Sequence, residues 1–262
     1  MINYRKVNKF WQNEAKKAEF SSGEEYQSGM LIKNSFVAKY RKIEEEINFE
    51  SIINIDKNDQ VLEMGCGSGR WTFFLASKCK LVTAIDFSDE MIKLAKSIQR
   101  KKNIKNIKFI CKKAENYCDY KKYNIIYLSG FLQYLNDVDI MKLINNLTKM
   151  SDKKTLIISR DTISLTNKRI TETGDYQVIY RTVNEYKNIF SNFSFKLIKT
   201  KESYIAPWLS CKLGLDRAIP FKVLHFFESK IFKGLSCFKM SLDKIFHRKK
   251  VEHCFFVYEK ND

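Results

Sequence analysis

At 262 residues, with 44% hydrophobic and 14% aromatic side chains, the chain can bury a full core and suits one domain with additions, not a disordered protein. Its net charge of +17 rests on lysine and concentrates in residues 60–200, where a solvated lysine-rich face explains it better than RNA or an anionic lipid. No run approaches the ~18 unbroken apolar residues of a membrane span, the start holds no apolar stretch of signal-peptide length, and seven cysteines without a CxxC pair and three late histidines argue against disulfides or a metal, so a cytoplasmic protein is expected.

Residues 1–58 read as an N-terminal helical cap. Phe10, Trp11, Ala15, Ala18 and Phe20 trace one amphipathic segment, Ser21-Ser22-Gly23 breaks it, and Met30 to Ile47 forms a second. From residue 59 to 203, strands alternate with helices. Strands are expected at 60–64, 81–86, 107–111, 123–129 and 155–159. Ser88-Asp89-Glu90 opens a helix to about Lys102, and Asn136-Asp137 opens another to Met150. This alternation predicts an α/β fold with a doubly wound, mostly parallel sheet whose strand ends and loops share one rim, where ligands bind. Residues 161–180 read as a loop or hairpin-like excursion, followed by a helix from Val183 and a strand from Phe193. Residues 251–262 supply the last strand of the core sheet. Between these strands lies 204–250, longer than an ordinary connection and helical in pattern at Phe227, Ile231, Leu235, Leu242 and Ile245. A helical lid is the favoured reading of it. A dimer contact, or a peripheral membrane contact through 219–246, is the alternative.

The stretch QVLEMGCGSGRWT, Gln60 to Thr72, concentrates the chemistry. Gly65, Gly67 and Gly69 alternate in a turn between a strand and a helix, so bare backbone can approach a ligand there. The spacing is G-x-G-x-G, and an acid, Glu63, sits inside the preceding strand. Negative charge beside the turn is poor for a phosphate and good for a ligand bearing an ammonium and a sulfonium. Asp86 closes the second strand, where a carboxylate can accept from both hydroxyls of a ribose.

Four segments in linked order, VLEMGCGSGRWT, TAIDFSDEMIKLAK, KKAENY and YNIIYLSGFLQYL, resemble a class I S-adenosylmethionine-dependent methyltransferase over residues 60–160. The resemblance implies a seven-stranded Rossmann-like sheet and S-adenosylmethionine as cofactor. By that resemblance Gly65, Gly67 and Gly69, with Cys66 in the same turn, line the methionine and ribose. Glu63 supports the methionine ammonium and Asp86 holds the ribose. Phe87 or Met91 packs on adenine, Ala114 and Glu115 lie at its edge, and Ser129 and Gly130 end the fourth strand beneath the methionine. Lys113 stands where many members carry an acid and cannot accept from the adenine amino group. Either Glu115 substitutes, or packing and backbone hold the ring.

Methyl transfer from a sulfonium is an in-line displacement, so the protein mainly aligns a nucleophile, excludes water and, for some acceptors, removes a proton. Candidates on the rim are Gln133 and Tyr134, then Arg160 and Asp161 in the loop after the fifth strand, then Tyr180 and Arg181. Tyr26 could close the pocket. Arg160 or Arg181 could clamp an anionic acceptor and Asp161 orient a hydroxyl or amine. Tyr134, Arg160 and Asp161 are the leading catalytic set. The N/D-P-P-Y/F signature of base-amino methyltransferases is absent after the fourth strand, and no placed thiol suggests carbon-5 pyrimidine chemistry. A small-molecule, sugar or natural-product-like acceptor, methylated on oxygen or nitrogen, is therefore expected. The alternatives are an RNA or protein methyltransferase using the basic face, and a non-catalytic binding protein of the same fold.

Overall fold

The computed structural model describes residues 1–19, 36–203, 219–226 and 251–261. Two helices come first, Tyr4–Glu19 (α1) and Phe36–Glu50 (α2). The apolar runs Gln60–Met64 (β1), Leu81–Asp86 (β2), Ile107–Cys111 (β3) and Ile125–Leu128 (β4) then pair in parallel. β1, β2 and β4 are buried almost throughout, as strands covered on both faces must be. β3 is an edge strand, and exposed Lys108 on it fits the role of lysine in blunting an unpaired edge.

Helices Arg70–Ala76 (α3), Asp89–Lys101 (α4) and Asp137–Met150 (α5) connect these strands. The cap expected at Ser88 forms, with its hydroxyl accepting from Met91 N at 3.3 Å. The cap expected at Asn136 does not. Its side-chain oxygen accepts instead from Ile2 N, 2.8 Å away, and so pins the start of α1 to the rim.

Leu156–Ser164 (β5) runs nine residues, longer than the expected 155–159. It pairs in parallel with β4 only through Ser159, and antiparallel with Val251–Lys260 (β9) along its whole length. Arg160 and Asp161 are therefore strand residues overhanging the end of β4, not members of a loop. The segment after β5 folds into an antiparallel hairpin, Arg169–Thr173 (β6) and Tyr176–Tyr180 (β7), and helix Val183–Ser191 (α6) follows with a complete capping box from Thr182 and Glu185. Phe195–Glu202 (β8) pairs antiparallel with β9. The sheet order is β3-β2-β1-β4-β5-β9-β8, the seven-stranded, mostly parallel Rossmann-like sheet that was expected.

Two apolar layers cover it. Leu62, Leu128, Ile157 and Phe256 face the side of α5 and α6, while Val61, Tyr127, Ile158 and Phe255 face Phe49 of α2 and Trp71 of α3. Of the 204–250 insertion only 219–226 is described, with a short helix at Phe221–Phe226; the lid, dimer and membrane readings of it, and Tyr26, lie outside the described residues. Among the described residues no helix is long and apolar enough to cross a membrane, and no cluster of His, Cys, Asp and Glu could hold a metal ion.

Candidate active site

The turn after β1 bends by left-handed backbone at Gly65, Gly67 and Gly69, with φ of 76°, 53° and 92°. Gly65 N and Cys66 N both donate to Ile85 O, at 2.8 and 3.0 Å, which locks the turn onto β2. A Cβ on Gly65 would meet Phe131 Cδ1 at 2.7 Å, so this position has no room for one. Gly65 and Gly67 line a cavity of about 420 Å³. Gly69 instead closes the turn through its N–H to Cys66 O, and the Cys66 side chain packs into the core on the α3 side.

Asp86 lines the same cavity. Its Oδ2 accepts from Gly67 N at 2.8 Å and its Oδ1 from Ser88 N at 2.9 Å, which ties the ends of β1 and β2 together. Glu63 is fully buried just behind the turn. Thr72 donates to its Oε2 at 2.6 Å, and Oε1 has no hydrogen-bond partner among the described residues. Burial pushes this carboxyl up to about 7, against the hydroxyls of Thr72 and Ser129 that favour its ionised form. Phe87, Met91, Ala114 and Glu115 continue the wall, and Ser129 and Gly130 form its floor at the end of β4. Lys113 lines the cavity too, its ammonium 5.5 Å from the centre of the Tyr4 ring.

Beyond Gly130 the cavity runs under α1 and the β6–β7 hairpin. Tyr4 donates to Asp139, Asn3 N to Gln177 at 2.7 Å, and Lys6 pairs with Glu172, so α1 is fastened across the rim as a roof. Trp11, Tyr134 and Tyr176 pack edge to face there, with centroids 5.6 and 6.0 Å apart. Burial raises the Tyr134 hydroxyl to about 12, so it keeps its proton at neutral pH.

Arg160 lines this end, and Asp161 does not. Successive side chains of a strand point to opposite faces, and the register of β5 sends Asp161 toward the α5–α6 layer, fully buried near Tyr186 and Tyr258. Burial raises its carboxyl to about 7. The two cannot act on one substrate atom, which overturns their expected pairing. Arg181 is also no clamp for a ligand. It is fully buried and donates to Asp137 and to the carbonyls of Leu132 and Leu135, where it fastens the segment before α5.

Arg160 has a partner that no local pattern announces. Its Nε and Nη2 donate to Oε1 of Glu45 on α2, at 2.9 and 2.6 Å, while Arg41 donates to the same oxygen and Arg70 to Oε2. Two residues further along β5, on the same face as Arg160, Thr162 Oγ1 lies 2.9 Å from Nδ1 of His253, and both residues line the cavity. Sequence reading missed Arg41, Trp11, Thr162 and His253, because only strand pairing and helix docking bring them to the rim. The Thr162–His253 pair follows from the β5–β9 register, which no local signal in either strand specifies.

Residues 61–153 match a family model described as a methyltransferase domain. A curated relative, the probable cobalt-precorrin-6B C(15)-methyltransferase (decarboxylating) of Methanocaldococcus jannaschii, is 38% identical over 107 residues, 39% of this chain and 58% of that protein. The chain thus spans less than two thirds of that relative's length. Among solved structures, the 1,6-didemethyltoxoflavin-N1-methyltransferase of Burkholderia thailandensis, with S-adenosylhomocysteine bound, superposes with a TM-score of 0.63 at 9% identity, over 99% of this chain and 89% of that one. The [4+2]-cyclase SpnF superposes equally well, with a TM-score of 0.63 at 12% identity over 97% and 96%. At these identities the superpositions speak for the fold alone. Taken with the strand order and the match of residues 61–153 to a methyltransferase domain, they show that the chain has the Rossmann-like methyltransferase fold and that residues 61–153 are similar to a methyltransferase domain.

Proposed function

We propose that the protein transfers a methyl group from S-adenosylmethionine to an oxygen or nitrogen of a small-molecule, sugar or natural-product-like acceptor. The observation that carries this reading is a single cavity, with Asp86 and the glycine turn at one end and an aromatic, polar wall at the other. The residues present fit the cofactor. Each Asp86 oxygen keeps a lone pair after accepting from Gly67 or Ser88, enough for two ribose hydroxyls. The unpartnered Oε1 of Glu63 suits an ammonium, directly or through water. When bound, S-adenosylmethionine supplies the electrophile, a methyl group on a sulfonium.

Binding, alignment and proton removal are left to the chain. α1 and the hairpin roof the acceptor end and keep bulk water from the nucleophile. His253 and Thr162, in contact at 2.9 Å, offer polar contacts to a hydroxyl or amine nucleophile at this end. Tyr134 keeps its phenolic proton and serves as wall and hydrogen-bond donor, not as base.

The test has two stages. S-adenosylmethionine and S-adenosylhomocysteine should each raise the melting temperature, because a ligand that binds only the native state must stabilise it. Methyl-labelled cofactor should then pass label into a low-mass fraction of a small-molecule extract. No thermal shift with either ligand would sink the reading, and label in RNA or protein alone would replace it with one of those acceptors.

A further inference from the structure

Resting on the methyltransferase reading, we infer that Gln133 selects the acceptor: its side-chain oxygen accepts a hydrogen bond from a hydroxyl or N–H carried by a flat aromatic ring that lies against Trp11, Tyr134 and Tyr176. Gln133 lines the cavity just beyond Gly130 and is 8% exposed. Its Oε1 is buried without a hydrogen-bond partner among the described residues. The other end of the amide serves Tyr134, whose ionised form it favours as an N–H donor does. That orientation leaves the carbonyl oxygen for a ligand. A buried amide oxygen costs stability until something donates to it, so whatever displaces solvent here must bring a donor. The α1 roof repeats the pattern, since Asn8 lines the same cavity and its Oδ1 also lacks a partner among the described residues.

The position is rigidly built. Gln133 sits in a single 3₁₀ turn, Leu132–Tyr134, which Tyr134 N closes by donating to Phe131 O at 2.9 Å. Arg181 donates to carbonyls before and after it, Leu132 O at 3.2 Å and Leu135 O at 2.8 Å, and Asp137 accepts from the same guanidinium. The aromatic wall beside it is fixed as well. Phe10 packs against Trp11 and Tyr176 with centroids 5.2 and 5.1 Å apart, and Tyr134 packs against the same two rings, which closes a circuit of four. Rings held by one another in this way offer a flat apolar surface that suits another ring. An amide oxygen is no base at neutral pH, so Gln133 orients the acceptor's hydrogen without removing it. Selection follows from the burial. A ring that lacks a donor leaves Oε1 unpaired in a closed site, and a site built to accept from a hydroxyl or N–H rejects the analogue without one.

Two matched pairs serve as probes, phenol with anisole and indole with 1-methylindole, alongside the saturated cyclohexanol. Each is titrated by calorimetry into the full chain saturated with S-adenosylhomocysteine, which has no methyl group to transfer. In at least one pair the donor should bind about ten- to a hundredfold tighter than its methylated partner, the cost of an unpaired buried oxygen. The pair that shows this tells O–H from N–H. Phenol should also bind tighter than cyclohexanol, which has the donor without the flat ring. Gln133→Met keeps the length of the side chain, removes the acceptor and should abolish the preference while leaving the methylated probes bound as before. Gln133→Glu keeps an oxygen there, should retain the preference and guards against a simple folding defect in the first variant. Trp11→Leu should weaken both members of a pair alike and leave their ratio unchanged. Equal binding within both pairs, no binding of any probe, cyclohexanol matching phenol, or an undiminished preference in a Gln133→Met chain that melts like the wild type would overturn the inference while leaving the methyltransferase reading intact. Failure of both S-adenosylmethionine and S-adenosylhomocysteine to bind removes that reading and the inference with it.

Discussion

Arg160 donates from both Nε and Nη2 to a single oxygen of Glu45, a residue 115 positions earlier in the chain. Burial alone would raise the Glu45 carboxyl, but Arg160, Arg41 and Arg70 together hold it well below the ordinary value of 4.5. Glu45→Ala removes the carboxylate that three guanidinium groups share, and a loss of about 3–5 kcal/mol is expected in urea unfolding, the range for breaking a buried ion pair. A depressed carboxyl contributes stability that is present above its unfolded value and lost as pH falls through its folded value. The wild type should therefore lose stability on acidification below 4.5 more steeply than the variant.

Asp86→Asn tests the cofactor end. Asparagine keeps one acceptor for the Gly67 or Ser88 amide and removes the charge offered to the ribose. Each hydrogen bond to a charged group contributes about 1.5–3 kcal/mol, so calorimetry should show affinity for S-adenosylhomocysteine reduced about a hundredfold. A dissociation constant within threefold of the wild type would take Asp86 out of the site.

Glu63 predicts a pH dependence of cofactor binding. Its carboxyl, raised to about 7 by burial, is protonated in the free protein below that pH and must ionise to face an ammonium. Affinity for S-adenosylmethionine should therefore rise between pH 6 and pH 8, roughly the interval around that value, with release of a proton at the lower end. Calorimetry in buffers of different ionisation enthalpy counts the proton. Glu63→Gln should flatten the dependence, and an equally steep profile in the variant would assign it to another group.

Asp161 predicts a stability effect away from the cavity. Its folded carboxyl titrates near 7, above the ordinary value of 3.8, so the native state holds a proton that the unfolded chain has released. Its contribution is complete below the lower value and is lost as pH rises through the upper one. Asp161→Asn should raise the melting temperature at pH 8, by roughly 2–4 °C for each kcal/mol gained in a chain of this size. Glu63, raised by burial to the same value, contributes to the slope that remains. A drop in melting temperature at pH 8 would mean that the charged form is held by partners after all.

The parts of the site that lie close together in sequence were legible. The glycine spacing, Glu63 before it, Asp86 at the next strand end and the Ser88 cap are local signals, because turn conformation and capping depend on a few adjacent residues. The sheet was legible for a related reason, since buried parallel strands announce themselves as apolar runs between helices.

The acceptor end was not legible. The pattern ended β5 at 159, and the residues after it looked like a loop because two of them are charged. Pairing with β9, about ninety positions later, carries the strand on through Ser164. That extension turns Arg160 and Asp161 to opposite faces, gives Arg160 to Glu45 and sets Thr162 beside His253. The sequence by itself determined the turn and the acids of the cofactor end, because each is specified within one strand–turn–helix unit. Only the tertiary structure decided which charges line the cavity beyond Gly130, because strand register and helix docking are settled by contacts between residues that are remote along the chain.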